Sequence, residues 1–82
     1  MILVDIYVPV LDEVYDFYAD ENTEAGLFIE EAAEMICQKE QCPLKGKPED
    51  LTLWRCSGRY RIGKGQTLQE AGIKAGERLL LV

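Results

Sequence analysis

Eighty-two residues suffice for one domain spanning 1–82 and exclude a second core; a chain this short buries roughly 60–65% of its unfolded surface and keeps a stability of about 4–12 kcal/mol. An apolar share of 48% is ordinary for a globular chain, and no apolar run nears the ~18 residues of a membrane span, which argues against membrane insertion. The formal charge of −6 divides unevenly, with eleven acids and one base in residues 1–44 (−10) against four acids and eight bases in 45–82 (+4), and so acidic a chain is not expected to bind nucleic acid.

Three cysteines, Cys37, Cys42 and Cys56, with no histidine leave too few ligands for a closed zinc site. Their odd number argues against a disulfide framework, and a Cys37–Cys42 bridge is disfavoured in a reducing compartment. A cysteine nucleophile lacks its commonest base. No metal, cofactor or catalytic residue is therefore expected. Strand-like alternation begins at Ile2 and the first base is Lys39, unlike a secretory signal, so the cytoplasm is the expected compartment.

In chain order, Ile2–Val8 is rich in β-branched residues, and Asp5 sets the register of a first strand with Ile2, Val4, Ile6 and Val8 facing inward. Pro9 and the polar Asp12-Glu13 mark a hairpin loop over 9–13. A second, antiparallel strand over 14–19 then faces Tyr15, Phe17 and Ala19 in, with Val14 and Tyr18 out. Asn22 or Thr23 is the expected cap of a helix over 24–39. Its apolar stripe is Phe28, Ile29, Ala32, Met35 and Ile36, while Glu30, Glu31 and Glu34 occupy a solvated face that does not amount to paired catalytic carboxylates.

Residues 41–50, with Pro43, Gly46 and Pro48, read as a mobile loop. A third strand is expected over 51–56, and Ser57-Gly58 turns into a short basic fourth strand over 59–62. In the third strand Trp54 and Cys56 are placed inward and Leu53 and Arg55 outward, because an inward arginine costs the burial of a charge. Gly63-Lys64-Gly65 lacks the spacing of a phosphate loop and reads as a turn.

The closing residues carry the strongest signal. Thr67-Leu68, Ile73 and the alternating Leu79-x-Leu81 place a turn, a buried plug and a last strand at fixed offsets, with Gly72 and Gly76 permitting the bends. This layout resembles the end of the ubiquitin-like β-grasp. The resemblance implies an α+β fold, a mixed sheet of four to five strands with one amphipathic helix on one face. Asp5-Ile6-x-Val8, Tyr15-Asp16-Phe17 and Leu68-x-x-x-Gly72-Ile73-x-x-Gly76-x-Arg78-Leu79 are moreover similar to the YukD/EsaB proteins of bacterial type VII secretion. That likeness implies a cytosolic accessory subunit that binds a secretion-machinery protein. The alternative, a ubiquitin-like modifier or sulfur carrier, implies a flexible C-terminal diglycine, which is absent at Val82.

For a binding module of this fold the expected surface is the sheet face away from the helix. Strands one, three and five are neighbours there, which brings Leu3, Tyr7, Leu53, Arg55 and Leu80 together as a protein-binding patch, with Arg59, Arg61 and Lys64 as a basic rim.

Overall fold

The computed structural model describes residues 1–41 and 48–82. In chain order it contains β1 (Ile2–Val8), β2 (Glu13–Ala19), α1 (Ala25–Glu40), a 3-10 turn (Pro48–Asp50), β3 (Leu53–Arg55), β4 (Tyr60–Ile62) and β5 (Arg78–Leu81). The five strands form one sheet in the order β2-β1-β5-β3-β4. β5 runs parallel to β1 and antiparallel to β3, so the sheet is mixed, as expected. The loop expected over 41–50 falls mainly on residues 42–47, and these, Cys42 and the bridge weighed between it and Cys37 included, lie outside the described residues.

Alternation decides which side of each strand is buried. Val4, Ile6 and Val8 of β1 pair in register with residues of β2 and β5, and Leu53, Ile62, Leu79 and Leu81 continue the same inner face. α1 covers that face with Phe28, Ile29, Ala32 and Ile36, all at most 2% exposed. Each large aliphatic or aromatic side chain so enclosed contributes about 1.5–3 kcal/mol. Phe17 meets Phe28 edge to face at 5.2 Å, an aromatic contact between β2 and the helix.

The helix start differs from the expectation. Glu24, with extended backbone, occupies the cap position, and no side chain bonds to the first turn. Asp20 instead closes a local turn, accepting the Asn22 N–H on its carboxylate and the Thr23 N–H on its carbonyl. The first helical N–H groups are satisfied from across the molecule: Ala25 donates to the Gln66 carbonyl at 2.7 Å and Gly26 to the Lys64 carbonyl at 3.0 Å. The turn over 63–66 therefore caps the helix.

The closing segment packs as a plug. Leu68, Ala71 and Ile73 are buried, and Thr67 and Glu70 exchange backbone-to-side-chain hydrogen bonds at 2.9 and 3.0 Å, a reciprocal cap on a single turn. The chain then bends through Gly76 at φ 86, whose N–H donates to the Leu3 carbonyl. No helix among the described residues is long and apolar enough to cross a membrane.

β3 corrects the expected register. Leu53 is fully buried, facing Leu81 and Ile62, and Trp54 lies on the opposite face. Arg55 shares Leu53's side of the strand. The physical reason is position: Arg55 ends β3, so its guanidinium reaches past the core to the end of the sheet and finds an anion there.

Candidate interaction face

The outer face of the sheet is built by the same alternation that builds the core. The pairing register aligns Val14, Tyr7, Leu80, Trp54 and Arg61 in one row that crosses all five strands. Trp54 is oriented along β3, its Nε1–H donating to Thr52 Oγ1 at 3.0 Å, and that hydroxyl donates to the Val82 carbonyl. Tyr7 donates its hydroxyl proton to Asp12 at 3.2 Å, which raises the phenol's pKa above the usual value. Both aromatic rings are thus anchored at their polar atoms while their faces stay partly open.

A second row lies beside the first and is charged. Asp16 of β2 stands directly opposite Asp5 of β1, and Asp5 stands opposite Arg78 of β5. Its hydrogen bond with Asp16 raises the pKa of Asp5 above the ordinary carboxylate value. Partial desolvation and the Asp16 charge add to this, and Arg78, at 4.0 Å, opposes it. Further along, Leu3 and Tyr18 pair across the strands and are both exposed. At the other edge Trp54, Arg55, Cys56, Arg59 and Leu80 line an open groove of about 310 Å³. Arg59 overhangs it from the β3–β4 turn with a left-handed backbone, φ 53.

Arg55 belongs to a different construction. Its Nε donates to Glu77 Oε1 at 2.7 Å, its Nη1 lies 3.5 Å from the Tyr60 hydroxyl, and its guanidinium stacks 5.8 Å from that ring's centre. Tyr60 donates in turn to the Ala71 carbonyl, and Glu77 Oε2 accepts the Lys74 N–H at 2.6 Å. Glu77 first and Tyr60 second raise the guanidinium's pKa, so it stays charged. The cluster ties the end of β3 to β4 and to the turn before β5.

No protein-family model matches the chain, and no curated protein sequence does. Solved structures do match it along nearly its whole length. An N-terminal ubiquitin-like domain determined in solution is 20% identical with a TM-score of 0.71, over 99% of this chain and 72% of that one. Caldiarchaeum subterraneum ubiquitin is 17% identical at TM-score 0.69, over 98% and 89%. The ubiquitin-like domain of an Arabidopsis thaliana protein is 11% identical at TM-score 0.74, over 99% and 74%. The fold is the ubiquitin-like β-grasp. At these identities the likeness is one of fold.

Of the expected patch, this β-grasp places Leu3, Tyr7, Leu80 and Arg61 on the outer face and brings Arg59 to its edge. It removes Leu53, which is core, and Arg55, whose head group is held by Glu77. It adds Trp54, Val14, Tyr18 and the Asp5–Asp16–Arg78 row. One signal for Arg55 was present in the sequence: Glu77 has the inward parity of Leu79 and Leu81, and an acid at that parity requires a base. Among the described residues no cluster of His, Cys, Asp or Glu is arranged to hold a metal ion.

Proposed function

We propose that this chain is a small cytosolic protein-interaction module, non-catalytic, that binds a component of a bacterial type VII secretion machine through the outer face of its sheet. The observation that carries the reading is the row Val14, Tyr7, Leu80, Trp54 and Arg61, in which two anchored aromatic rings and two aliphatic side chains stand in register beside a groove. Tyr, Trp and Arg dominate interface energetics, and a partly exposed tryptophan beside the central Leu80 of such a row is hot-spot chemistry. The secretion assignment is supported by the residues shared with the YukD/EsaB pattern, above all Leu68, Gly72, Ile73, Gly76, Arg78 and Leu79, which form the plug and the central strand.

The test uses purified secretion components and the intact chain. Trp54→Ala should weaken binding of the cognate component about 30-fold or more, the effect of losing a hot spot of about 2 kcal/mol. Glu31→Lys, on the exposed side of α1, should bind as the unaltered chain does. Equal binding by Trp54→Ala, or no binding of any secretion component by the unaltered chain, would overturn the proposal.

A further inference from the structure

The outer face is divided by charge as well as crossed by an apolar row. Asp5 and Asp16 lie on the β1–β2 side, and Arg59 and Arg61 on the β3–β4 side, with Leu80 on the central strand between them. A partner face of one charge sign is repelled by one half of this surface whichever sign it carries. The complementary surface is basic where this one is acidic and acidic where it is basic. The chain itself presents such a surface once it is turned over.

We propose that two copies of this chain pair face to face through the outer sheet, about a two-fold axis lying in the interface parallel to β5. The inference rests on the reading of this face as the binding face, and a heterologous partner then competes with the second copy. The strand order has β5 at its centre with two strands on each side, so the rotation lays β5 on β5, β1 on β3 and β2 on β4 while each cross-strand row stays over itself. Leu80 then meets Leu80, Tyr7 meets Trp54, and Asp16 stands opposite Arg59. The interface is isologous, each contact occurring twice. It is also the aligned packing that twisted sheets favour.

Two further observations support it. Like charges directly opposite on neighbouring strands are unfavourable, and Asp5 and Asp16 are such a pair with one arginine at 4.0 Å to offset them. A second copy brings Arg59 to that pair. The two Arg78 side chains meet at the axis, each flanked by an Asp5 from either copy, so the central charges balance. The acids that make the chain −6 overall include Glu30, Glu31 and Glu34, which lie on α1, on the far side of the sheet from the partner. The area is that of a weak, reversible dimer: ten strand side chains face outward, three each from β1 and β2, two from β5 and one each from β3 and β4, and with Cys56 and Arg59 of the adjoining turn, at about 4.8 Å by 7 Å each, they cover roughly 400 Å² per copy, about 800 Å² in all. That lies below the range of stable specific interfaces, so the pairing is expected only at high protein concentration.

Sedimentation equilibrium of the intact chain from about 1 μM to 1 mM tests this. The mass should rise with concentration from 9.3 kDa towards twice that value. The emission of Trp54, the only tryptophan, should shift to the blue in parallel as the indole leaves water. Asp16→Arg and Arg59→Asp should each remain monomeric across the range, because each sets like charges face to face. Aspartate tolerates the left-handed backbone at the Arg59 position, so the turn survives the change. An equimolar mixture of the two variants should dimerise, since the introduced arginine of one then faces the introduced aspartate of the other while the native pair forms on the second side. The double variant should dimerise with itself, which excludes misfolding as the cause of the single-variant losses. A chain that stays monomeric to 1 mM, single variants that dimerise like the unaltered chain, or a mixture that stays monomeric would each sink the dimer. The Trp54→Ala binding test is separate, so a monomer that binds a secretion component refutes the dimer alone, and a dimer that binds none refutes the secretion reading alone.

Discussion

Arg55 is held by an anion, a ring and a hydroxyl at once. Its side chain is 25% exposed and that of Glu77 17%, so the pair is shielded more than a surface ion pair and less than a core one. Arg55→Glu would set two carboxylates at that spot beside the Tyr60 hydroxyl. The expected outcome is a melting temperature lower by about 5 °C or more, read by circular dichroism, against little change for Arg61→Glu on the open face. Equal melting temperatures would show the clamp to be dispensable. This residue also marks where the sequence stops being legible. β1 and β2 each run for seven residues, and one aspartate in each decides the parity of the whole strand. β3 has three residues, leucine, tryptophan and arginine, and its parity is decided by Glu77, twenty-two positions away, which no local pattern displays.

At the scale of elements, the legible parts are those whose partner is the core itself. The α1 stripe and the alternation of β1 and β5 each repeat often enough for burial to follow from spacing. The cap of α1 was not legible, because its acceptors are the main-chain carbonyls of Lys64 and Gln66, and a carbonyl leaves no trace in residue identity. The plug is the element that can be tested most directly. Ile73 is 5% exposed, and its N–H bonds to the Leu68 carbonyl at 3.0 Å. Ile73→Ala should cost about 2–5 kcal/mol in denaturant unfolding, the range for truncating a buried isoleucine. A loss under about 1 kcal/mol would show that the site collapses onto the smaller side chain.

For the whole molecule, the charge division of the sequence becomes a division in space, because β1, β2 and α1 come from the acidic half and β3, β4 and β5 from the basic half. Stability should depend on pH through the Asp5–Asp16 pair. Unfolded, Asp5 titrates near 3.8; folded, it titrates higher. Between those values the folded state binds more protons than the unfolded one, so this pair's contribution falls as pH rises through the window and the full penalty is present above it. Asp16→Asn should therefore raise the melting temperature at pH 7, and the gain should vanish as pH falls towards 3.8. The measurement belongs at concentrations where the chain is monomeric. A gain independent of pH would assign the effect to something other than carboxyl crowding.

The position of β5 has a consequence for biosynthesis. The strand that joins the acidic hairpin to the basic one is the last of the five to leave the ribosome, and it hydrogen-bonds to both β1 and β3. Until residues 78–81 emerge, the β1–β2 and β3–β4 segments have no strand to join them, and α1 has half a surface to rest on. Neither hairpin is stable alone in water. The domain therefore acquires its structure after translation has passed β5, in one cooperative step, and until then Val4, Ile6 and Leu53 are exposed to the chaperones that bind apolar segments of growing chains.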